Sequence, residues 1–196
     1  MKVNCILSGV GGQGTILASK LISQAAMNKG LTVRTAETIG MAQRGGCVVS
    51  HVRIGEDIHS PMVPGHSADI IIGFEPSEAV RCLVYLKDGG VVIVSRKAVM
   101  PVTASLGQGS YEASDMLDYL AKHTKNLIIV DGGKICEECG SVKVLNVALL
   151  GAACASGGLG ITLSEMEASI EETVAPQFTQ MNIKALAAGA AAAKKS

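Results

Sequence analysis

The chain has 196 residues, 17 basic and 17 acidic side chains, and a formal net charge of +0. Charged residues make up 17% and the mean hydropathy is +0.36, which excludes a disordered, charge-rich tail and leaves enough apolar material for a core. Zero net charge argues against a nucleic-acid or anionic-membrane coat, and an absence of Trp with 3% aromatics leaves few stacking platforms for bases.

Taken in chain order, the opening Met1-Lys2-Val3 runs straight into a strand pattern with no apolar leader, so a cytoplasmic location is expected. The longest apolar stretch, 144–161, is interrupted by Asn146, Ser156 and four glycines, and no membrane span is expected. Val3 to Leu7 is an apolar run ending at glycines, read as a buried strand. Thr15 to Lys29 carries an apolar stripe through Ile16, Leu17, Leu21, Ile22, Ala25 and Ala26, with Gly30 as the stop. Leu31 to Ala36 is a second strand, completing the opening unit of a parallel α/β sheet.

Cys47 to Ile54 is a strand whose period of two puts Cys47, Val49, His51 and Arg53 on one face and Val48, Ser50, Val52 and Ile54 on the other. An extended connection holding Pro61, Pro64 and Gly65 leads to a strand at Asp69 to Gly73. Pro76 opens a helix expected to end near Lys87, and Asp88-Gly89-Gly90 turns the chain into a strand at Val91 to Val94. Further on are a helix at Tyr111 to Lys122, a strand at Asn126 to Val130 and an apolar helix at Val142 to Ala155. Ser164 to Glu167 fits a capping box, and a last helix begins at Pro176 with Phe178, Met181, Ala185 and Ala188 as its stripe and Lys194-Lys195 at its end. The expected fold is one α/β domain over 1–196, Rossmann-like and three-layered, with a mostly parallel sheet and helices on both faces.

Gly9-Val10-Gly11-Gly12-Gln13-Gly14 matches G-x-G-x-x-G between a strand and a helix that begins at Thr15. Such glycines let backbone N–H groups approach an anion at the helix terminus, or they merely let strand and helix pack closely. Glu37, at the end of the second strand, lies where a dinucleotide fold places its ribose-binding acid. A second cluster holds Gln43, Arg44, Gly45 and Gly46, followed by His51 and Arg53 on one strand face. These cations could hold a phosphate or carboxylate, or they could be solvated charges on an exposed edge strand.

The glycine loop followed by Ala42-Gln43-Arg44-Gly45-Gly46 and Ser50-His51-Val52-Arg53 resembles the gamma-type subunits of the 2-oxoacid:ferredoxin oxidoreductases, and in particular the small (beta) subunits of the indolepyruvate enzymes. The resemblance extends through Ser60-Pro61, Ala68-Asp69 and Val144-Leu145-Asn146, while the final Ala-rich stretch carries none of it. It implies a subunit of a complex that oxidatively decarboxylates an aryl 2-oxoacid, passes the acyl group to coenzyme A and reduces ferredoxin. Thiamine diphosphate and 4Fe–4S clusters are then expected on a large partner subunit, with this chain inactive alone. The glycine-loop positions Gly9 to Gly14 and the Gln43 to Gly46 positions are carried over as residues that contact coenzyme A or shape the interface, and Thr15, Glu37, His51 and Arg53 join them as cofactor-binding candidates on the residues' own reading.

Two other functions stay open on the residues alone: a stand-alone NAD(P)-dependent dehydrogenase using Gly9 to Gly14 and Glu37, and a nucleotide-sensing or assembly protein without chemistry. Against the dehydrogenase, no separate substrate domain is left over, and none of the three tyrosines is followed four residues on by Lys. Six cysteines are read as reduced thiols. Cys136 and Cys139 form a lone Cys-x-x-Cys, two ligands where zinc needs four, and are placed in a surface loop. Cys5 and Cys154 are expected in the core, Asn146 as a buried amide with a partner, and Asp131 at the ligand-binding end of a strand.

Overall fold

The computed structural model describes residues 2–39, 46–99 and 111–194. Six strands form one sheet: β1 (Val3–Val10), β2 (Val33–Ile39), β3 (Cys47–Ile54), β4 (Ala68–Gly73), β5 (Leu86–Ser95) and β6 (Asn126–Val130), in the order β2-β3-β1-β4-β5-β6. The pairs β1/β4, β4/β5 and β5/β6 are parallel, whereas β3 runs antiparallel to both β1 and β2. The helices are α1 (Thr15–Asn28), α2 (Pro76–Arg81), α3 (Ala113–His123), α4 (Gly132–Cys139), α5 (Leu145–Ala155), α6 (Leu163–Thr173) and α7 (Pro176–Ala193). This is the expected mostly parallel α/β sheet with helices on both faces.

Each strand divides its side chains between two cores. Cys5 and Leu7 of β1, Ile70 and Ile72 of β4, and Ile93 of β5 face α1, α5, α6 and α7. Ile6, Ile71, Val92 and Val94 face α2 and α3. All eight residues of β1 are buried, as expected of a central strand covered on both sides, and this is why its sequence is a run rather than an alternation.

Several boundaries differ from the sequence expectation. The helix opened by Pro76 stops at Arg81 and tightens into a 3-10 turn, Cys82–Tyr85, instead of running to Lys87. β5 starts at Leu86 and passes through Asp88-Gly89-Gly90. Its pairing with β4 slips there, from Ala68↔Leu86 to Ile70↔Val91, with Gly89 at φ +74 taking up the extra length. β3 is an interior strand, which removes the exposed-edge alternative for His51 and Arg53, and β2 takes that edge of the sheet. Cys136 and Cys139 lie on helix α4 rather than in a loop, because Asp131 caps that helix by accepting from Lys134 N at 3.1 Å. The capping box of α6 is Thr162 with Glu165, two residues ahead of the expected start. A 3-10 turn, Val142–Val144, precedes α5.

α5 and α7 pack backbone against backbone. A Cβ on Gly189 would fall 1.8 Å from the carbonyl oxygen of Ala148, and one on Gly151 would fall 2.0 Å from that of Leu186. The buried face of α7 is Asn182, Ala185, Leu186, Gly189 and Ala190, while Phe178 stands 48% exposed, outside the stripe expected of it. Among the described residues no helix is long and apolar enough to cross a membrane.

Candidate functional site

The four parallel strands end on one side of the sheet, so the loops after β1, β4, β5 and β6 meet there. The chain leaves β1 toward β2 on one side and later builds β4 on the other, which makes the β1/β4 junction the topological switch point where open α/β sheets hold ligands. The glycine loop sits at that junction. Gly12 and Gly14 adopt φ +98 and +80, in the left-handed region, and Gly14 serves as the N-cap of α1 with no side chain capping the helix. The first N–H groups of α1 have no intrahelical acceptor and form the positive end of the helix.

Gln13 stitches the loop to its surroundings. Its Oε1 accepts from Val10 N at 2.8 Å, and its Nε2 donates to the Phe74 carbonyl, just past β4, at 3.1 Å. Gly9 allows this closeness, since a Cβ there would lie 2.7 Å from Gln13 Oε1 and 2.8 Å from the Phe74 Cβ. Gly11 N donates to the Gly46 carbonyl at 2.8 Å, so the two glycine motifs of the sequence touch through their backbones. Thr15 is buried at the start of α1. Gln43, Arg44 and Gly45 lie outside the described residues.

Beside the loop opens a cleft of about 450 Å³ lined by Gly12, Gly14, Lys97, Lys143, Leu145 and Asn146 among others. A second hollow of about 280 Å³, which includes Gly132 and Cys136, adjoins it through the shared Lys97, Val142 and Leu145. Lys97 follows the end of β5, and Lys143 lies on the 3-10 turn before α5. Neither lysine forms a salt bridge among the described residues. Two cations, a helix N-terminus and glycines that leave the backbone bare suit an anionic, phosphate-bearing ligand. Asn146, 2% exposed, donates from Nδ2 to the Gly14 carbonyl at 3.3 Å and accepts from Val147 N at 2.9 Å, which satisfies the partner requirement expected of it.

The family models and curated sequences agree on where this architecture belongs. The pyruvate ferredoxin/flavodoxin oxidoreductase family matches residues 4–192. The chain belongs to this family. It is 38% identical over 190 residues to the indolepyruvate oxidoreductase subunit IorB of Archaeoglobus fulgidus, covering 96% of this chain and 94% of that protein. It is 36% identical over 194 residues to the corresponding IorB of Pyrococcus horikoshii, covering 98% and 96%. In fold it is similar to the crystal structure of a keto/oxoacid ferredoxin oxidoreductase gamma subunit from Geobacter sulfurreducens PCA, with a TM-score of 0.73, 22% identity and 99% of each chain covered.

Within this oxidoreductase fold, the remaining residues singled out in the sequence are not gathered at the loop. Val10 of β1 pairs with Cys47, so His51 lies four and Arg53 six positions further along β3, roughly 13 and 20 Å from the loop end of the strand. Arg53 donates to Asn4 Oδ1 at 2.9 Å and to the carbonyls of Ser60 at 2.9 Å and Met62 at 3.3 Å. His51 is 1% exposed, accepts from Val63 N at 3.1 Å through Nδ1, and meets Tyr85 edge-on at 5.2 Å. Burial pushes its pKa down, which keeps the ring neutral. Both side chains fasten the 59–66 connection to the sheet, at the end away from the cleft.

Glu37 is level with Ser50 and, through it, with Leu7, two strands from β1 because β3 intervenes. That is roughly 10 Å of lateral separation, and Glu37 Oε1 accepts from Ser19 Oγ at 3.2 Å. The topology therefore does not set Glu37 beside the glycine loop as a doubly wound dinucleotide fold would.

Lys97 and Lys143 are the cleft residues that sequence reasoning passed over. A basic residue two positions past a parallel strand was a readable signal for Lys97, whereas nothing local marks Lys143. Cys136 is 7% exposed and its Sγ lies 3.7 Å from the Val142 carbonyl. Burial first, then the neighbouring Cys139, raise its pKa, and Lys97 opposes them. Among the described residues no three His, Cys, Asp or Glu are arranged to hold a metal ion, and the Cys136/Cys139 pair supplies half of the four thiolates an iron–sulfur cluster takes. All six cysteines are free thiols, with Cys5 and Cys154 in the core as expected.

Proposed function

We propose that this chain is the small, gamma-type subunit of a 2-oxoacid:ferredoxin oxidoreductase complex of the indolepyruvate kind. The observation that carries the reading is the likeness to curated IorB subunits at 36 to 38% identity along nearly the whole of both chains. In this reading the complex decarboxylates an aryl 2-oxoacid, transfers the acyl group to coenzyme A and delivers two electrons to ferredoxin, in the cytoplasm. Thiamine diphosphate and the 4Fe–4S clusters belong to the large partner subunit and supply the decarboxylation and electron-transfer chemistry when bound there. This chain's part is to shape the coenzyme A side of the assembly.

The glycine-loop cleft fits that part. The phosphates of coenzyme A would be met by the α1 N-terminus, Lys97 and Lys143, with Gly12 and Gly14 admitting them close to the backbone. Gly46 adjoins the loop, its carbonyl accepting from Gly11 N, and extends the proposed surface on that side. His51 and Arg53 lie outside this surface and hold the 59–66 connection at the opposite end of the sheet.

Anaerobic purification of the tagged chain from its host, followed by assay, tests the reading. A brown complex with one large partner, reducing ferredoxin only with an aryl 2-oxoacid and coenzyme A, is the expected result. A colourless lone chain that binds NADH tightly and loses that binding on Glu37→Ala would overturn it. Charge reversal at Lys97 and Lys143 together is expected to raise the KM for coenzyme A more than tenfold while the complex stays assembled.

A further inference from the structure

We propose that Asn146 is a positioning residue for the anionic ligand of the cleft, fixing the Gly14–Thr15 peptide so that its N–H faces that ligand. The inference rests on the reading of the cleft given above.

α5 is apolar almost throughout, and its residues from Asn146 to Cys154 are buried. An amide there costs free energy unless its polar atoms are bonded, and every neighbouring position carries an apolar side chain or glycine that would not incur that cost. What the amide reaches is specific: Nδ2 donates to the Gly14 carbonyl across 132 residues of sequence. Gly14 is shaped for this approach, since a Cβ on it would lie 2.7 Å from Asn146 Nδ2. The same carbonyl also accepts from Ala18 N at 3.0 Å, the first bond of α1.

The peptide group is planar and trans, so its C=O and N–H point in opposite directions. Two donors holding the Gly14 oxygen on the helix side therefore hold the Thr15 N–H outward, at the mouth of the helix. Among the described residues no side chain caps α1 and competes for that hydrogen. Asn146 also lines the cleft itself, and its amide has a second hydrogen for which the described residues provide no acceptor. One buried side chain thus sets the loop donor and can add one of its own.

The test uses the assembled complex with coenzyme A as probe, comparing Asn146→Asp and Asn146→Leu with wild type at several pH values. At pH 8 the carboxylate of Asn146→Asp cannot donate to the Gly14 carbonyl and repels an anion. The KM for coenzyme A is expected to rise at least about tenfold, with the loss falling on KM rather than kcat. As pH falls, protonation gives the carboxyl a hydrogen to donate, and the affinity recovers toward wild type. Asn146→Leu is expected to stay weak at every pH. Native mass of the complex shows that each variant assembles.

An Asn146→Asp enzyme with wild-type KM overturns the proposal, as does one whose loss matches Asn146→Leu across the pH range. Charge reversal at Lys97 and Lys143 separates the two levels: if that pair leaves the coenzyme A affinity unchanged, the cleft reading falls and this inference with it. If the pair weakens binding but Asn146→Asp does not, only the role of Asn146 is refuted.

Discussion

Gly189→Ala sets two elementary effects against each other with opposite signs. Gly189 lies inside α7, where alanine is favoured over glycine by about 1 kcal/mol of helix propensity. On that ground alone the substitution stabilises. The added methyl, however, would sit 1.8 Å from the Ala148 carbonyl oxygen and 3.0 Å from its Cα, and both are backbone atoms of the facing helix. No rotamer relieves a contact with backbone, so α5 and α7 must separate by more than an ångström along a seam that includes Leu149, Ala152, Ala185 and Leu186. Overpacking of this kind costs about 3 kcal/mol or more, which leaves a net loss of about 2 kcal/mol after the propensity gain. Urea denaturation of Gly189→Ala measures the net effect, with Ala191→Gly on the exposed side of the same helix as the propensity control, expected to lose about 1 kcal/mol. A Gly189→Ala protein more stable than wild type would refute the close helix approach.

Arg53→Ala removes the ties to Asn4 and to the Ser60 and Met62 carbonyls, so limited proteolysis should show faster cleavage within 59–66 with coenzyme A affinity unchanged. A rise in the KM for coenzyme A without faster cleavage would place Arg53 at the ligand instead. His51 has its pKa lowered by burial, so the unfolded chain binds more protons than the folded one below about pH 6.5. Its contribution is complete above that value and is lost as pH falls toward the depressed folded value. His51→Gln should therefore flatten the acid limb of the stability profile, and an unchanged limb would contradict this. Tyr111 donates to the buried Glu75 carboxylate, and burial with that carboxylate pushes the phenol up to about 12. Tyr111→Phe should lower stability by about 1 kcal/mol in thermal unfolding, because Glu75 keeps its bonds from Ser77 and Glu78.

Much of the fold was legible because its signals are local. The apolar runs of β1 and β4, the stripe of α1 closed by Gly30, Pro76 and Pro176 at helix starts, and the two faces of β3 all follow from periodicity and from backbone restrictions read over a few residues. The G-x-G-x-x-G loop was placed correctly for the same reason, and the order of the two glycine motifs sufficed to point to the family.

What tertiary structure alone decided is which of these elements are neighbours. Sequence periodicity places His51 and Arg53 on a strand face but not at which end of the sheet they fall, and the antiparallel pairing of β3 with β1 carries them away from the loop. The same strand, inserted between β1 and β2, separates Glu37 from the glycines it follows in sequence. Lys97, Lys143 and Asn146 come together because the end of β5 and the start of α5 pack over the β1 loop, a meeting of segments up to 132 residues apart. Gly189 sits in an alanine-rich stretch that looks interchangeable until the facing backbone is seen at van der Waals distance. Periodicity and turn chemistry act within a few residues, whereas a binding cleft and a helix crossing are set by strand order and close packing across the whole chain.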